Sequence, residues 1–368
     1  MKKARRYDID WIRVLVFDLL IIFHVGMFFN TWDWHIKNNE IVEWLDYLMR
    51  FSSEWRIPIL FVVSGMGTRF ALSFRSGNEY IKERFTRLFI PLLVGILVTV
   101  VPQVYIERLA DGSFEGNFFV FFPHFFEGIY PTGNFSWHHL WFLPYLMVMS
   151  LFATPFFLML RKENNAFIAQ LKKCFEKSSW CIYLFIIPLF LIEATMNRHF
   201  PITHSFWGDW YALVLYFLLF ISGFILIRIG ERFWNAVDKL RWATLIIGII
   251  AFSLILYRMG YDFRISILGS FIKTVNMWSW ILAIFGFAAQ YLNKEGAIVK
   301  YRNEAVYPFY IFHQAITIII GFWLMDNSMP VFLKFVLMTI GTFGGAWILF
   351  ELVRRIRFLR PLFGLKNR

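Results

Sequence analysis

Long apolar blocks alternate with short charged segments along this sequence, and this alternation constrains the fold more than any other feature. A helix needs about 20 residues to cross a bilayer. Ten blocks approach or reach that length, with approximate bounds 11–29, 54–72, 89–105, 138–160, 180–194, 210–229, 241–258, 266–289, 305–323 and 331–353. Only 17% of the residues are charged, against roughly 25% in soluble domains. The sequence predicts an all-α polytopic membrane protein with about ten transmembrane helices, forming a single transmembrane domain over residues 1–368.

The distribution of basic residues predicts the orientation of this domain. When the N-terminus is placed in the cytoplasm, the segments on that side hold most of the 37 Lys and Arg residues. This is the bias expected of membrane topology, and it predicts that both termini are cytoplasmic. The net charge of +12 does not indicate a nucleic-acid binder, because the basic residues recur between apolar blocks rather than in one soluble module. Two cysteines are too few for a disulfide framework.

The first apolar block carries three ionisable residues, Arg13, Asp18 and His24. In a helix, Arg13 and His24 lie about 20° apart in azimuth and about 16 Å apart along the axis, so they share one face without touching. Ionisable residues inside a membrane are functional candidates. This face could guide a long ligand from the cytoplasmic side, although His24 could also simply bond a neighbouring helix. Asp18 lies on another face and is expected to pair with another helix, with Lys273 and Arg56 as possible partners.

Five stretches, in order, carry a family resemblance. They are YDIDWIRVLVFDLLIIFH with Asp10, Arg13 and His24; PILFVVSGMG with Ser64 and Gly65; KERFTRLFIP with Arg84, Arg87 and Pro91; HHLWFLPYL from residue 138; and YPFYIFH with Tyr310 and His313. Together they resemble the acyltransferase-3 family of integral membrane enzymes over the whole helical core. Within that family, RRYDIDWIRVL and WDWHIKN look closest to a subgroup that modifies glucans.

The resemblance implies an O-acyltransferase in the bacterial cytoplasmic (inner) membrane. Such an enzyme moves an acyl group from cytoplasmic acyl-CoA to a hydroxyl of an extracytoplasmic glucan or other carbohydrate. Succinyl-CoA or acetyl-CoA is then the co-substrate, no cofactor is bound permanently, and the partners are acyl-CoA, the carbohydrate and the lipid bilayer. Succinylation is what the subgroup implies, while the acyl group, the acceptor and the oligomeric state stay open.

The residues fit that chemistry in distinct roles. A histidine suits a general base because its ordinary pKa of about 6.5 lies near working pH, so His24 is the predicted base. His313 could be catalytic, orient His24 or only pack. The donor's phosphates need cations on the cytoplasmic side, and the predicted donor-binding residues are Arg13, Arg84, Arg87 and Ser64. The predicted orienting residues are Asp10 and Tyr310.

The outer loops offer candidate residues for the acceptor. Flat apolar faces suit sugar rings, and the predicted acceptor-binding residues are Trp32, Trp34, Trp137 and His139. An aromatic belt at the membrane interface, together with packing inside the loops, is the stronger interpretation for most of the tryptophans. The sequence predicts no metal site, because its histidines are scattered and show no Cys/His ligand spacing.

Two alternatives to an enzyme stay open. A transporter or flippase for a free or lipid-linked saccharide could use the same buried charges as a proton relay. However, the sequence shows no internal two-fold repeat and no matching pair of interrupted helices. A non-catalytic assembly subunit would leave His24 dispensable.

Overall fold

The structure, a computed structural model, describes residues 5–258 and 260–367. The described part of the chain is helical and contains no β-strand. Its α-helices are α1 (Tyr7–Met27), α2 (Leu45–Ser53), α3 (Arg56–Ala71), α4 (Gly77–Gly95), α5 (Val101–Ala110), α6 (Phe118–His124), α7 (Phe142–Leu160), α8 (Ala166–Lys177), α9 (Ile186–Met196), α10 (Trp210–Ile229), α11 (Glu231–Tyr257), α12 (Tyr261–Ile265), α13 (Ile267–Tyr291), α14 (Ala297–Leu324), α15 (Val331–Arg355) and α16 (Leu359–Leu362). A π-helical turn (Ile96–Val100) and two 3₁₀ segments (His138–Trp141 and Ser179–Phe185) complete the list.

Eight helical segments in the described residues are long and apolar enough to cross a membrane. They correspond to eight of the ten predicted blocks. The other two blocks are also helical, but α1 carries several charges and α3 has only 16 residues. The all-helical membrane architecture is therefore confirmed, while the count of ten and the cytoplasmic placement of the termini stay predictions.

The chain forms two compact units, and the first comprises residues 1–13, 51–84 and 145–299. In this unit α3 packs against α10 at very short range. A Cβ added to Gly65 would lie 1.9 Å from the Phe220 carbonyl oxygen, and one added to Gly223 would lie 1.9 Å from that of Val62. Only glycine permits such an approach of two helix backbones. A disulfide between Cys174 and Cys181 links α8 to the 3₁₀ segment that follows it.

The second unit comprises residues 14–50, 85–144 and 300–368. Its core includes a buried apolar cluster from the end of α1, the following loop, α14 and α15, formed by Val25, Phe28, Phe29, Ile36, Ile318 and Met338. Burying these side chains stabilises the unit by roughly 1.5–3 kcal/mol each in an aqueous reference. The cluster fixes the loop that leaves α1 against α14, and this loop carries Trp32, Trp34 and His35.

The π-helical turn Ile96–Val100 joins α4 to α5 within one continuous helical run, Gly77–Ala110. Single π turns of this kind inside α-helices are frequent at functional sites. Beyond this turn, on α5, the buried Glu107 faces His35.

Candidate active site

A pair of histidines lies in the second unit. His24 is in the last turn of α1, and His313 is near the middle of α14. The His24 Nδ1 atom lies 2.8 Å from the His313 Nε2 atom. Their rings are nearly parallel, with centroids 5.0 Å apart. Two residues separated by 289 positions in the sequence therefore form a direct hydrogen bond.

The hydrogen bonds of His313 define the proton positions in this pair. His313 Nδ1 faces two backbone carbonyls of its own helix, those of Tyr310 at 2.8 Å and Phe309 at 3.1 Å. Carbonyl oxygens only accept, so Nδ1 carries the proton, and Nε2 of the neutral ring is an acceptor. His24 must then donate its Nδ1–H to His313. It follows that His24 Nε2 retains a lone pair, which is what a general base requires.

His139 and Tyr310 complete this side of the site. The buried His139 ring donates from Nε2 to the Ile311 carbonyl at 3.0 Å. It packs edge-on against His313, with centroids 5.1 Å apart. The Tyr310 hydroxyl donates to the backbone carbonyl of His139. Sequence reasoning assigned His139 to the acceptor at the outer surface, whereas the structure places its side chain beside His313.

A second polar group in the same unit was missed by sequence reasoning. His35 Nδ1 lies 2.6 Å from Glu107 Oε2, and the amide nitrogen of Gln314 lies 3.0 Å from His35 Nε2. The His138 ring meets the His35 ring edge-on, with centroids 4.3 Å apart. Gln314 directly follows His313 in the chain, and His138 directly precedes His139. His138 and His35 also lie in the stretches HHLWFLPYL and WDWHIKN that carry the resemblance, but these stretches do not show that the two rings meet, and they do not reveal Glu107.

The predicted acceptor tryptophans are all half-buried. Trp32 packs edge-on against Phe23, the neighbour of His24 in the chain, with centroids 6.2 Å apart. Trp34 packs against the apolar cluster and against His35. Trp137 directly precedes the 3₁₀ segment with the two histidines. These positions leave both predicted roles, sugar stacking and interfacial packing, physically reasonable.

A basic pocket lies within the first unit, with a volume of about 710 Å³. Four guanidinium groups and one carboxylate line it, from Arg5, Arg6, Arg13, Arg69 and Asp10. Asp10 accepts from Arg5 Nε at 2.8 Å and lies 3.5 Å from Arg13 Nη1, so it orients two of the four cations. With cations in excess, the pocket favours an anionic ligand.

The other predicted donor residues do not line this pocket. The Ser64 hydroxyl donates to the Leu60 carbonyl of its own helix at 2.7 Å. The Arg84 guanidinium lies over the Tyr80 ring, 4.9 Å from its centroid. Arg87 belongs to the second unit, where its carbonyl accepts from the Tyr307 hydroxyl. Of the predicted donor-binding residues, the structure brings only Arg13 to the pocket, together with its orienting partner Asp10.

Asp18 pairs with a helix, as expected, but with a different residue from the two suggested. Its carboxylate accepts from Arg302 on α14. Lys273 instead bonds Glu193 at 2.9 Å. Sequence reasoning could not select Arg302, because it lies at the charged start of α14, ahead of the predicted apolar block.

Comparisons with known proteins agree with the motifs. Glucans biosynthesis protein C of Escherichia coli O157:H7 (strain EC4115 / EHEC) is 25% identical over 374 residues, which covers 98% of this chain and 95% of that protein. The protein of the same name from Escherichia coli (strain K12) has the same identity and coverage. No solved structure matches this chain. A family profile described as an acyltransferase domain (Acyl_transf_3) matches residues 6–351. The chain therefore belongs to the acyltransferase-3 family of membrane acyltransferases.

Proposed function

We propose that this protein is a membrane-embedded O-acyltransferase that moves an acyl group from cytoplasmic acyl-CoA to a hydroxyl of an extracytoplasmic, glucan-like carbohydrate. Family membership supports acyl transfer, and the name of the E. coli relatives supports an acceptor related to glucans. The observation that carries the proposed mechanism is the hydrogen bond between His24 and His313, because it leaves His24 Nε2 able to accept a proton.

The proposed reaction uses His24 twice. Its Nε2 atom takes the proton of the acceptor hydroxyl as the oxygen attacks the thioester carbonyl carbon. The tetrahedral intermediate then collapses, the carbon–sulfur bond breaks, and the imidazolium returns the proton to the departing thiolate. The products are the acyl ester and the free thiol. Throughout, His313 Nε2 accepts from His24 Nδ1–H and stabilises the positive charge that develops on the His24 ring.

The basic pocket is the proposed site for the phosphate groups of the donor. Guanidinium groups bind phosphate oxygens through paired hydrogen bonds. Arg69 contributes a buried Nε atom that has no hydrogen-bond partner within the described residues. Such a donor gains most from an incoming anion, because a buried polar group without a partner costs about 1–3 kcal/mol.

The experiment that tests this function measures thiol release from acetyl-CoA and succinyl-CoA by purified protein in nanodiscs, with and without glucan oligosaccharides. We expect His24→Ala to lower kcat about 10²- to 10⁴-fold, the range for loss of a general base. His199→Ala, which removes an exposed loop histidine, is the matched control and should retain activity. Arg13→Gln should raise the KM for the donor, whereas Arg232→Gln, at an exposed ion pair, should not.

The outcomes separate the hypotheses. Acceptor-dependent thiol release that is lost in a folded His24→Ala protein supports the proposal, and the preferred donor identifies the acyl group. Normal turnover by His24→Ala would make His24 structural and the mechanism wrong. Saccharide binding without turnover of either donor would favour transport.

A further inference from the structure

Three residues that the proposed mechanism does not use have side chains able to bind a metal ion, and they lie close together in the second unit. His35 lies in the loop after α1, Glu107 is on α5, and His138 begins a 3₁₀ segment. Each offers one ligand atom, and these atoms all lie within 4.8 Å of one another. The sequence-based expectation of no metal site rested on local spacing, which cannot reveal ligands so far apart in the chain.

The donor set has a characteristic chemistry. Two imidazoles and one carboxylate are ligands that suit Zn²⁺ and neighbouring divalent transition metals. Glu107 is only 7% exposed. Arg108 lies 3.7 Å from its Oε1 atom, while His35 faces its Oε2 atom. Arg108 is also bonded by Asp111 and by backbone carbonyls. One carboxylate oxygen of Glu107 is therefore directed to His35.

The neighbours of His35 allow it to change from proton donor to metal ligand. In the structure, the Gln314 amide nitrogen donates to His35 Nε2, so His35 Nδ1 carries a proton that is shared with Glu107. A half-turn of the amide presents its oxygen, which accepts a hydrogen bond from Nε2–H in the other neutral tautomer of His35, and in that tautomer Nδ1 has a lone pair for a metal ion. This is the partner arrangement that orients metal-bound histidines. The net charge of His35 is the same in both states.

His138 is held in an unusual conformation. Its φ of 38° lies in the left-handed region, which few residues other than glycine adopt. Its backbone N–H donates to the Ser136 hydroxyl at 3.0 Å. Its Nε2 atom is buried and has no hydrogen-bond partner in residues 5–258 and 260–367. Strained conformations of this kind persist where the surrounding structure enforces them, often at ligand sites.

We propose that His35, Glu107 and His138 bind one divalent transition-metal ion of the Zn²⁺ class, with a further coordination position for water or another oxygen ligand. Three protein ligands and one open coordination position are typical of catalytic zinc sites. The proposal does not depend on acyl transfer, because its test reads metal binding directly.

The test titrates chelator-treated protein in nanodiscs with Co²⁺, a spectroscopic substitute for Zn²⁺, and measures Zn²⁺ content after equilibrium dialysis. We expect one saturable ion per chain with visible d–d absorption. His138→Ala and Glu107→Gln should each lower the affinity at least 100-fold. Gln314→Leu should lower it about 10- to 100-fold, as loss of an orienting partner does. The matched control is His124→Ala, which disrupts the exposed His124–Glu127 pair of the same unit and should bind like wild type.

Glu107→Gln keeps the shape of the side chain and decides the question if His138→Ala fails to fold, as judged by size-exclusion profile and melting temperature. Absence of stoichiometric Co²⁺ binding by wild type would overturn the proposal. Equal affinity of folded Glu107→Gln and wild type would also overturn it, and would leave His35 and Glu107 as a hydrogen-bonded pair without a metal.

Discussion

At the scale of single residues, the proton positions of the histidine pair follow from helix geometry. The His313 ring turns back to the carbonyl of Tyr310 on its own helix, and this contact makes its other nitrogen an acceptor. A motif such as YPFYIFH identifies the two residue types, but it does not show that His313 faces His24. His313 thus contacts the proposed base directly, and its role, whether catalysis, orientation or packing, stays a prediction.

We predict that His313→Ala lowers kcat by at least 100-fold with little change in the KM of donor or acceptor. The reason is that His24 loses the acceptor that fixes its tautomer, and a wrong tautomer alone costs up to about 10⁴-fold in comparable systems. His313→Gln should recover part of the rate, since its amide oxygen can accept from His24 Nδ1–H. Steady-state kinetics on the three proteins checks this. Equal kcat for the Ala and Gln variants would contradict an orienting role.

At the scale of helices, the crossing of α3 and α10 shapes one wall of the basic pocket. The two glycines at the crossing allow backbone contact. Gly67 and Ile227, further along the same two helices, line the pocket. The motif PILFVVSGMG thus has a structural explanation for Gly65, whereas Ser64 bonds its own helix.

Gly65→Ala is expected to destabilise the protein by roughly 1–3 kcal/mol or more, the cost of overpacking a tight contact. The new methyl would clash with the Phe220 carbonyl, a backbone atom that moves only if α10 shifts. Gly344→Ala, in the interior of α15, is the control, because an added Cβ there meets no atom within 4 Å. Thermal unfolding in detergent should show a lower melting temperature for Gly65→Ala alone, and equal melting of both variants would contradict the close crossing.

At the scale of the whole molecule, hydropathy predicted which segments are helices better than where they end. The block predicted at 241–258 is part of α11, which begins ten residues earlier, and the block at 305–323 is part of α14, which begins at Ala297. Helices continue into charged segments because hydropathy marks the bilayer rather than the end of the backbone hydrogen-bond ladder. Motif resemblance located His24, His313, Arg13 and Asp10. Contacts between distant segments, such as that of His35 with Glu107, are absent from any local pattern.

A buried histidine in the loop before α10, His204, is expected to make the stability of the protein depend on pH. Burial of the His204 ring lowers its pKa to about 4, with the Asp209 charge acting in the opposite direction. In the unfolded chain the pKa is about 6.5. Between these two pKa values the unfolded state therefore binds more protons than the folded state. The stabilisation that comes from burying the neutral His204 ring is complete above about pH 6.5 and declines as pH falls towards 4.

Melting temperatures of wild type and His204→Asn between pH 7.5 and 4.5 check this expectation. Asn tolerates the positive φ of 57° at this position and does not titrate. The variant should lose less stability on acidification than wild type. Parallel curves of melting temperature against pH for the two proteins would show that another titratable group causes the loss of stability at low pH.

The π-helical turn at Ile96–Val100 contains one residue more than the α-helical turn it replaces. Because the wider turn takes up that extra residue, removing one residue here would restore a regular α-helix and leave Glu107 close to its present direction. Removing a second residue would find no π turn to take up the change, and it would rotate Glu107 by about 100° and move it by about 1.5 Å relative to the first half of the helix. Glu107 would then be turned away from His35 although no residue of the cluster had been altered. Changes of chain length are usually tolerated in loops, and this one turn gives the Gly77–Ala110 helical run room for a single deletion.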